Sequence, residues 1–393
     1  LDSSNANQSE NGFLKNKSIP GFFTVLFLIL FLFFPPGFLP GQMITSVPGL
    51  QAVEIGGELE MRTGLFYDDR WFGTFYGAGE LEFFIPPTER IRPRLVLAGH
   101  LSDPPGGERR DELEIKYSYL RYRQDKGHIT LGRQPISWSY GAMLNPFDYG
   151  FGVEELAGET ISPAADGVRY LRRLGKGRSL QGMVEFDEPA AELFTELGYG
   201  LRLRLPRPER DLSFNAAYQP LKKEDNLLRL GAAYSADAGS AGIYGALGYY
   251  RLRESGREDY PLQVGMDYSW TIGSRYRDQN LYLQAEYIRF IDRELGSVFF
   301  RQLAEEAGEF RIAGGEEADI YDLLAVNLTA DVDPFSQIGT ALIFETGENS
   351  GAFSPYYLTD LGGDLELRLE GNLLRNQKGQ TSSGVTAGLT YYF

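Results

Sequence analysis

Thr381-Ser-Ser-Gly-Val-Thr-Ala-Gly-Leu-Thr-Tyr-Tyr-Phe393 is the stretch on which the fold class turns. Val385, Ala387, Leu389, Tyr391 and Phe393 share one face, and Thr386, Gly388 and Thr390 share the other. A period of two is the signature of a strand with one apolar face. The alternation runs to the last residue, so the strand is expected to have partners on both sides and no free tail.

The same pattern recurs along the chain. In residues 53–65, Ile55, Leu59, Met61 and Leu65 alternate with Glu54, Glu58, Glu60 and Arg62. In 71–85, Trp71, Phe75, Leu81 and Phe83 stand opposite Glu80 and Glu82. Segments 195–206, 260–272 and 363–374 repeat it, the last with Leu365, Leu367, Leu369 and Leu373 against Asp364, Glu366, Arg368 and Glu370. Charged second faces with no helical layer over the apolar ones exclude an ordinary sandwich. They fit an all-β transmembrane antiparallel barrel, apolar outside and wet inside.

The connections alternate in length. Short ones fall at 86–89, 124–127, 175–177, 206–209, 237–240, 273–278 and 333–334. Long ones fall near 103–111, 139–164, 187–194, 219–225, 254–259, 292–318 and 347–353. Short periplasmic turns and long external loops are what a membrane barrel shows. With both termini periplasmic the strand number is even. Splitting 354–374 at Leu361-Gly-Gly, into 354–359 and 364–374, gives an expectation of eighteen strands. The alternative is sixteen, if the weak pair across 165–187 is one hairpin too many.

Residues 1–52 differ from the rest. Lys15 and Lys17 precede an uncharged run of 13, Phe22 to Phe34, then Pro35-Pro36 and small residues up to Ala52. This order of basic, apolar and small residues reads as a cleaved signal peptide, leaving 53–393 as one barrel domain. The net charge of −16 argues against a nucleic-acid partner. Cys is absent and only His100 and His128 could offer imidazole, so no metal site and no cofactor is expected. Neither Gly-x-Ser-x-Gly nor His-Glu-x-x-His occurs, and no enzyme is expected.

The terminal Phe393, with Leu389 and Tyr391 before it, resembles the closing strand of bacterial outer-membrane β-barrels. That resemblance implies an outer-membrane location, contact with its lipids, and an ending read by the barrel-insertion machinery. Ile129-Thr-Leu-Gly-Arg-Gln-Pro-Ile-Ser-Trp138, Asn145-Pro-Phe-Asp148 and Asp166-Gly-Val-Arg-Tyr-Leu171 resemble a group of outer-membrane porins of unassigned substrate. Ser139 stands where that group usually has Gly. The group implies a passive channel for small hydrophilic solutes, and porin trimers put a homotrimer among the assemblies to expect. The class rival is a non-conducting barrel used for adhesion or envelope structure.

Strand phase then sorts the charges. Glu54, Glu58, Glu60, Glu80, Glu82, Glu366 and Glu370 fall on inward positions near the closing seam. Arg92, Arg94, Arg169, Arg173, Arg202, Arg204 and Arg229 fall inward further round. Opposed banks of charge across a lumen with low-dielectric walls would set up a transverse field. The third external loop carries Asp148, Glu154, Glu155 and Glu159, an expected acidic lip at a constriction.

Overall fold

The computed structural model describes residues 53–393 apart from 69, 104–109, 137, 139–152, 157–158, 162–163, 187–196, 220–225, 275–276, 292–321, 347–349 and 376–378. The leader reading of 1–52 lies outside the described residues. Eighteen strands form one closed antiparallel barrel. They are β1 (Glu54–Asp68), β2 (Arg70–Phe84), β3 (Ile91–Asp103), β4 (Arg110–Gln124), β5 (Gly127–Pro135) and β6 (Ala164–Gly175). Next come β7 (Arg178–Phe186), β8 (Leu197–Arg204), β9 (Arg210–Gln219), β10 (Leu227–Ala238), β11 (Ala241–Leu252) and β12 (Leu262–Ser274). The last six are β13 (Arg277–Arg289), β14 (Asp322–Asp333), β15 (Ser336–Glu345), β16 (Ser350–Asp360), β17 (Leu365–Arg375) and β18 (Thr381–Tyr392).

Each strand pairs with its neighbours in the chain, and β18 pairs with β1 from Glu58↔Tyr392 to Tyr67↔Ser383. Phe393 and Gly57 exchange two backbone hydrogen bonds of 3.0 and 2.9 Å, which finishes the seam. Glu258–Asp259 adds a short pairing to β11. A ribbon of Val153–Leu156 with Glu159–Ile161 is paired separately from the barrel sheet.

The split at 361–363 has a backbone cause. Gly362 and Gly363 have φ of 82° and 66°, a region costly for residues with a Cβ. The Asp360 carboxylate accepts a 2.7 Å bond from the Gly362 N–H, holding the turn between β16 and β17.

Side-chain exposure separates the two faces. Leu65, Trp71, Leu113, Leu131, Leu247 and Val385 are among many large apolar residues that stay exposed. They lie on the outer face, and the alternate positions turn toward the lumen. The phase holds along most strands but slips in β4, where Val96 pairs with Tyr117 and Leu97 with Ile115. Lys116 is the extra residue of this β-bulge, and a bulge re-aims side chains.

On the inner face, aromatic rings lie flat over glycines on the next strand. A Cβ on Gly265 would fall 2.1 Å from the Tyr244 ring, and one on Gly339 would fall 2.3 Å from Tyr356. At the seam, a Cβ on Gly384 would fall 2.2 Å from Phe66. The absent side chain leaves each ring a seat against the wall.

Gly265→Ala should therefore lower stability by about 1–3 kcal/mol, the range for overpacking a filled site. Gly182→Ala, with nothing within 4 Å of the new methyl, should leave it unchanged. The urea midpoint of the heat-modifiable folded band measures both. Equal midpoints for the two variants would show that the Tyr244 ring moves aside freely.

Candidate functional site

The inner wall is where this chain can do chemistry, because lumen-facing positions collect its charges. Near the seam, register places Glu58 directly opposite Glu80, and Glu82 opposite Gly56. Glu366 pairs across to Thr390 and Glu370 to Thr386. Most of these carboxylates hold a cation, Glu58 and Glu366 forming no ion pair among the described residues. Arg94 donates two bonds to Glu82, of 2.8 and 3.3 Å, in a bidentate fork. Lys116 pairs with Glu80, carried there by the β4 bulge. Arg62 pairs with Glu60 two residues along the same face. Arg368 donates to Glu370 at 3.2 Å in the same way.

Two walls of opposite sign therefore do not describe this side, since Arg94 belongs with Glu82. The sequence reading missed Arg62, Lys116 and Arg368 as partners. Arg62 and Arg368 share the phase of the acids beside them, a spacing visible once position is weighed with sign. Lys116 needed the bulge, and a trace of it was there. Exposed apolar positions in β4 are odd at Leu113 and Ile115, then even at Leu120 and Tyr122.

Further round, Arg92 stands opposite Arg121, Arg121 opposite Thr130, and Thr130 opposite Arg169. Arg123 faces His128. Arg173 faces Ser179, which faces Arg204 on its other side. Arg202 stands opposite Gln181 and Asn215. Arg204 pairs with Asp211, and Arg229 donates to Gln219 beside the Tyr250 ring. Glu54 is exposed at the first position of β1.

The motif around β5 has a structural role. Gly132 has φ of 111°, and a Cβ there would lie 2.3 Å from the Ser118 carbonyl oxygen. The buried Gln134 amide donates to the carbonyls of Gly132, Gly167 and Thr130 at 3.2, 3.3 and 3.4 Å. Arg133 bonds Asp166 at 2.9 Å across β5 and β6 on the outer face. Beyond β5, Ile136 and Trp138 are fully buried against Ala165, Met183 and Ala217. Arg169 reaches up to donate 3.1 Å to the Pro135 carbonyl.

Asp148 lies outside the described residues. Glu154, Glu155 and Glu159 belong to the small ribbon, where only the backbone is described.

A different part of the lumen is apolar. Leu227, Tyr250, Ile288, Phe290 and Leu323 are fully or almost fully buried at the ends of β10, β11, β13 and β14 remote from Glu54 and Tyr392. Tyr250 and Phe290 meet edge to face at 6.4 Å. Beside them Glu286 accepts 2.6 Å from the Tyr244 hydroxyl and 3.3 Å from the Gln263 amide.

No protein-family model and no curated protein matches this sequence. Solved structures do. Pseudomonas aeruginosa OccK11 (OpdR) is similar over 90% of this chain and 99% of its own, at TM-score 0.54 and 11% identity. P. aeruginosa OccK5 (OpdH) matches over 86% and 98%, at TM-score 0.52 and 11% identity. P. aeruginosa OpdK with vanillate matches over 86% and 98%, at TM-score 0.52 and 12% identity. At such identities the likeness is one of fold.

The paired charges should differ in weight by burial. The Arg368 and Glu370 side chains are 12% and 10% exposed, whereas those of Arg94 and Glu82 are 39% and 28% exposed. Glu370→Gln should destabilise by about 1–3 kcal/mol, because a nearly buried guanidinium loses its counter-charge. Glu82→Gln should cost under about 1 kcal/mol, as exposed pairs do. Urea titration of the two folded variants checks the order, and a larger loss for Glu82→Gln would contradict it.

Proposed function

We propose that this chain is a bacterial outer-membrane porin, a passive diffusion channel for small hydrophilic solutes. The observation that carries the reading is the division of faces in a closed barrel. The outer face exposes large apolar residues, and the inner face carries the glutamates and arginines. Only a closed sheet can satisfy its backbone hydrogen bonds in lipid, and a polar interior then holds water. The fold shared with OccK11, OccK5 and OpdK supports the same reading.

The pore-lining residues are the inward arginines and glutamates named above, and the third external connection narrows the passage. Ile136 and Trp138 support the narrowing, because their burial against Met183, Ala165 and Ala217 brings the chain inside the wall. The acids of that connection would then line the lip.

The closing strand serves assembly. Leu389 and Tyr391 alternate outward on β18, and the Tyr391 and Phe393 rings stack at 6.1 Å. An aromatic ending on the outer face suits recognition by the insertion machinery before the seam closes.

A second reading has one observation behind it. The buried apolar group at Tyr250, Ile288 and Phe290 fills lumen-side positions, as a non-conducting barrel would require.

Planar-bilayer recording decides between the two. Folded protein should give ohmic steps in potassium chloride, and a silent barrel would favour the structural role. Trp138→Ala should raise the unit conductance and admit larger neutral solutes. Unchanged conductance would place the narrowest point elsewhere. Phe393→Ala keeps the backbone bonds to Gly57, so it should fold normally in detergent yet insert poorly in cells. Equal insertion of the variant and the parent would remove the role given to Phe393.

A further inference from the structure

Three arginines on the outer face hold a carboxylate. Arg133 bonds Asp166 at 2.9 Å, Arg251 stands 3.8 Å from Glu258, and Arg289 stands 3.6 Å from Asp322. All three pairs lie toward the strand ends that carry the long connections. Arg172 and Arg178 break that pattern. They are exposed on the outer face toward the opposite end, that of the short turns, and form no ion pair among the described residues. The connections around them, 125–126, 176–177 and 205–209, are all described, and they carry the carboxylates Asp125 and Glu209. Neither pairs with Arg172 or Arg178.

Register places Arg172 in one rung with Leu180, Leu203 and Phe214, so an unpaired guanidinium stands in an apolar row. Arg178 is its diagonal neighbour, two residues before Leu180 on β7, at a Cα separation of about 7–8 Å. A charge on the outer face of a barrel is costly in hydrocarbon and tolerated near the headgroups. Long cationic side chains reach that level by laying their stems along apolar surface.

One rung further from the turns the wall is hollowed. Tyr170 pairs with Gly182, Gly182 with Leu201, and Leu201 with Ala216. Large and small residues alternate along this rung, and a Cβ on Gly182 would meet nothing within 4 Å. Val184, Tyr199 and Tyr218 continue the hollow in the next rung. The result is an open, apolar groove of about 530 Å³. Its floor has packed support, because Met183 and Ala217, the sequence neighbours of Gly182 and Ala216, bury Ile136 and Trp138 on the inner side.

The groove and the two arginines complement one amphiphile. A guanidinium fork matches two oxygens of a phosphate. Cations at headgroup depth select anionic lipids over zwitterionic ones, and an apolar channel beside them gains by burying the CH₂ groups of a chain. We propose that Arg172, Arg178 and the groove over Gly182 form a binding site for an anionic glycerophospholipid. Its phosphate lies on the two guanidiniums, and one acyl chain runs between Tyr170 and Leu201. Short turns are periplasmic in bacterial barrels, so the lipid comes from the periplasmic leaflet. The site rests on the outer-membrane location and is independent of whether the lumen conducts.

The test uses the folded, delipidated full barrel in detergent, read by native mass spectrometry. It is titrated in separate arms with phosphatidylglycerol and with phosphatidylethanolamine of the same chains. Phosphatidylglycerol should bind about fivefold more tightly or better, since the ethanolamine ammonium offsets its own phosphate. Arg172→Gln/Arg178→Gln should bring that ratio close to one. Gly182→Leu fills the groove and should weaken both lipids about fivefold or more while keeping their ratio. Arg70→Gln removes an exposed cation at the start of β2, at the other end of the barrel, and should change neither. Equal affinity of the two lipids in the parent, an unchanged ratio in the double variant, or an equal effect of Arg70→Gln overturns the site. So does unchanged binding in Gly182→Leu. A dimer of the parent that Gly182→Leu dissolves, with lipid binding intact, overturns it in favour of a second copy. Should Gly182→Leu fail to fold by heat-modifiable mobility, the arginine arm decides alone, because both of its side chains are exposed.

Discussion

Backbone hydrogen bonding in lipid is the constraint from which the rest of this molecule follows. A strand edge left open in hydrocarbon would strand a row of N–H and C=O groups, each at a cost of several kcal/mol. The chain meets this by pairing β18 with β1 and by carrying the pairing through Phe393 and Gly57 at the very end. Closure then fixes everything about the faces. One side of every strand faces outward and the other faces the lumen, so the sequence must alternate along nearly its whole length. A charge placed by this alternation has only the lumen to occupy, apart from rims and pairs such as Arg133 with Asp166.

The glycines and aromatics belong to the same economy of space. Rings that stood upright from the inner wall would fill the lumen. Tyr244 and Tyr356 instead lie over Gly265 and Gly339 on neighbouring strands. Tyr244 keeps its hydroxyl on Glu286 while lying flat. Polar satisfaction and a clear passage are thereby achieved by one side chain. Gly132, Gln134 and Arg133 perform a related task where β5 ends. They lock two strands together immediately before the buried Ile136 and Trp138.

Much of the architecture was legible because the code is a period of two. Strand parity and Leu361-Gly-Gly were enough to separate β16 from β17, since a glycine pair between alternating runs leaves few options but a turn. The charge pattern was legible in phase but not in partnership. Which residues share a face follows from counting. Which residues meet follows from register, and register across 36 residues, as for Glu80 and Lys116, is not written locally. The bulge at Lys116 shifted the phase of half a strand, and only the change of apolar parity between Ile115 and Leu120 betrayed it. The buried apolar group at Tyr250, Ile288 and Phe290 was not legible at all. Inward apolar residues look like outward ones until a strand's phase is fixed by its neighbours.

These differences divide the inner wall into three sectors with different physics. In the seam sector Glu60, Glu80, Glu82 and Glu370 hold cations at contact distance, while Glu58 and Glu366 form no ion pair among the described residues. In the sector of β10 to β14, Leu227, Tyr250, Ile288, Phe290 and Leu323 bury apolar side chains beside the polar groups of Arg229, Gln263 and Glu286. On β3 to β6, Arg92, Arg121, Arg123, Arg169 and Arg173 form no ion pair among the described residues. Chain order explains why the sectors are contiguous. In an up-and-down barrel, residues on consecutive strands are neighbours in space, so a run of arginine-bearing strands in the sequence becomes an arginine-lined arc of the wall.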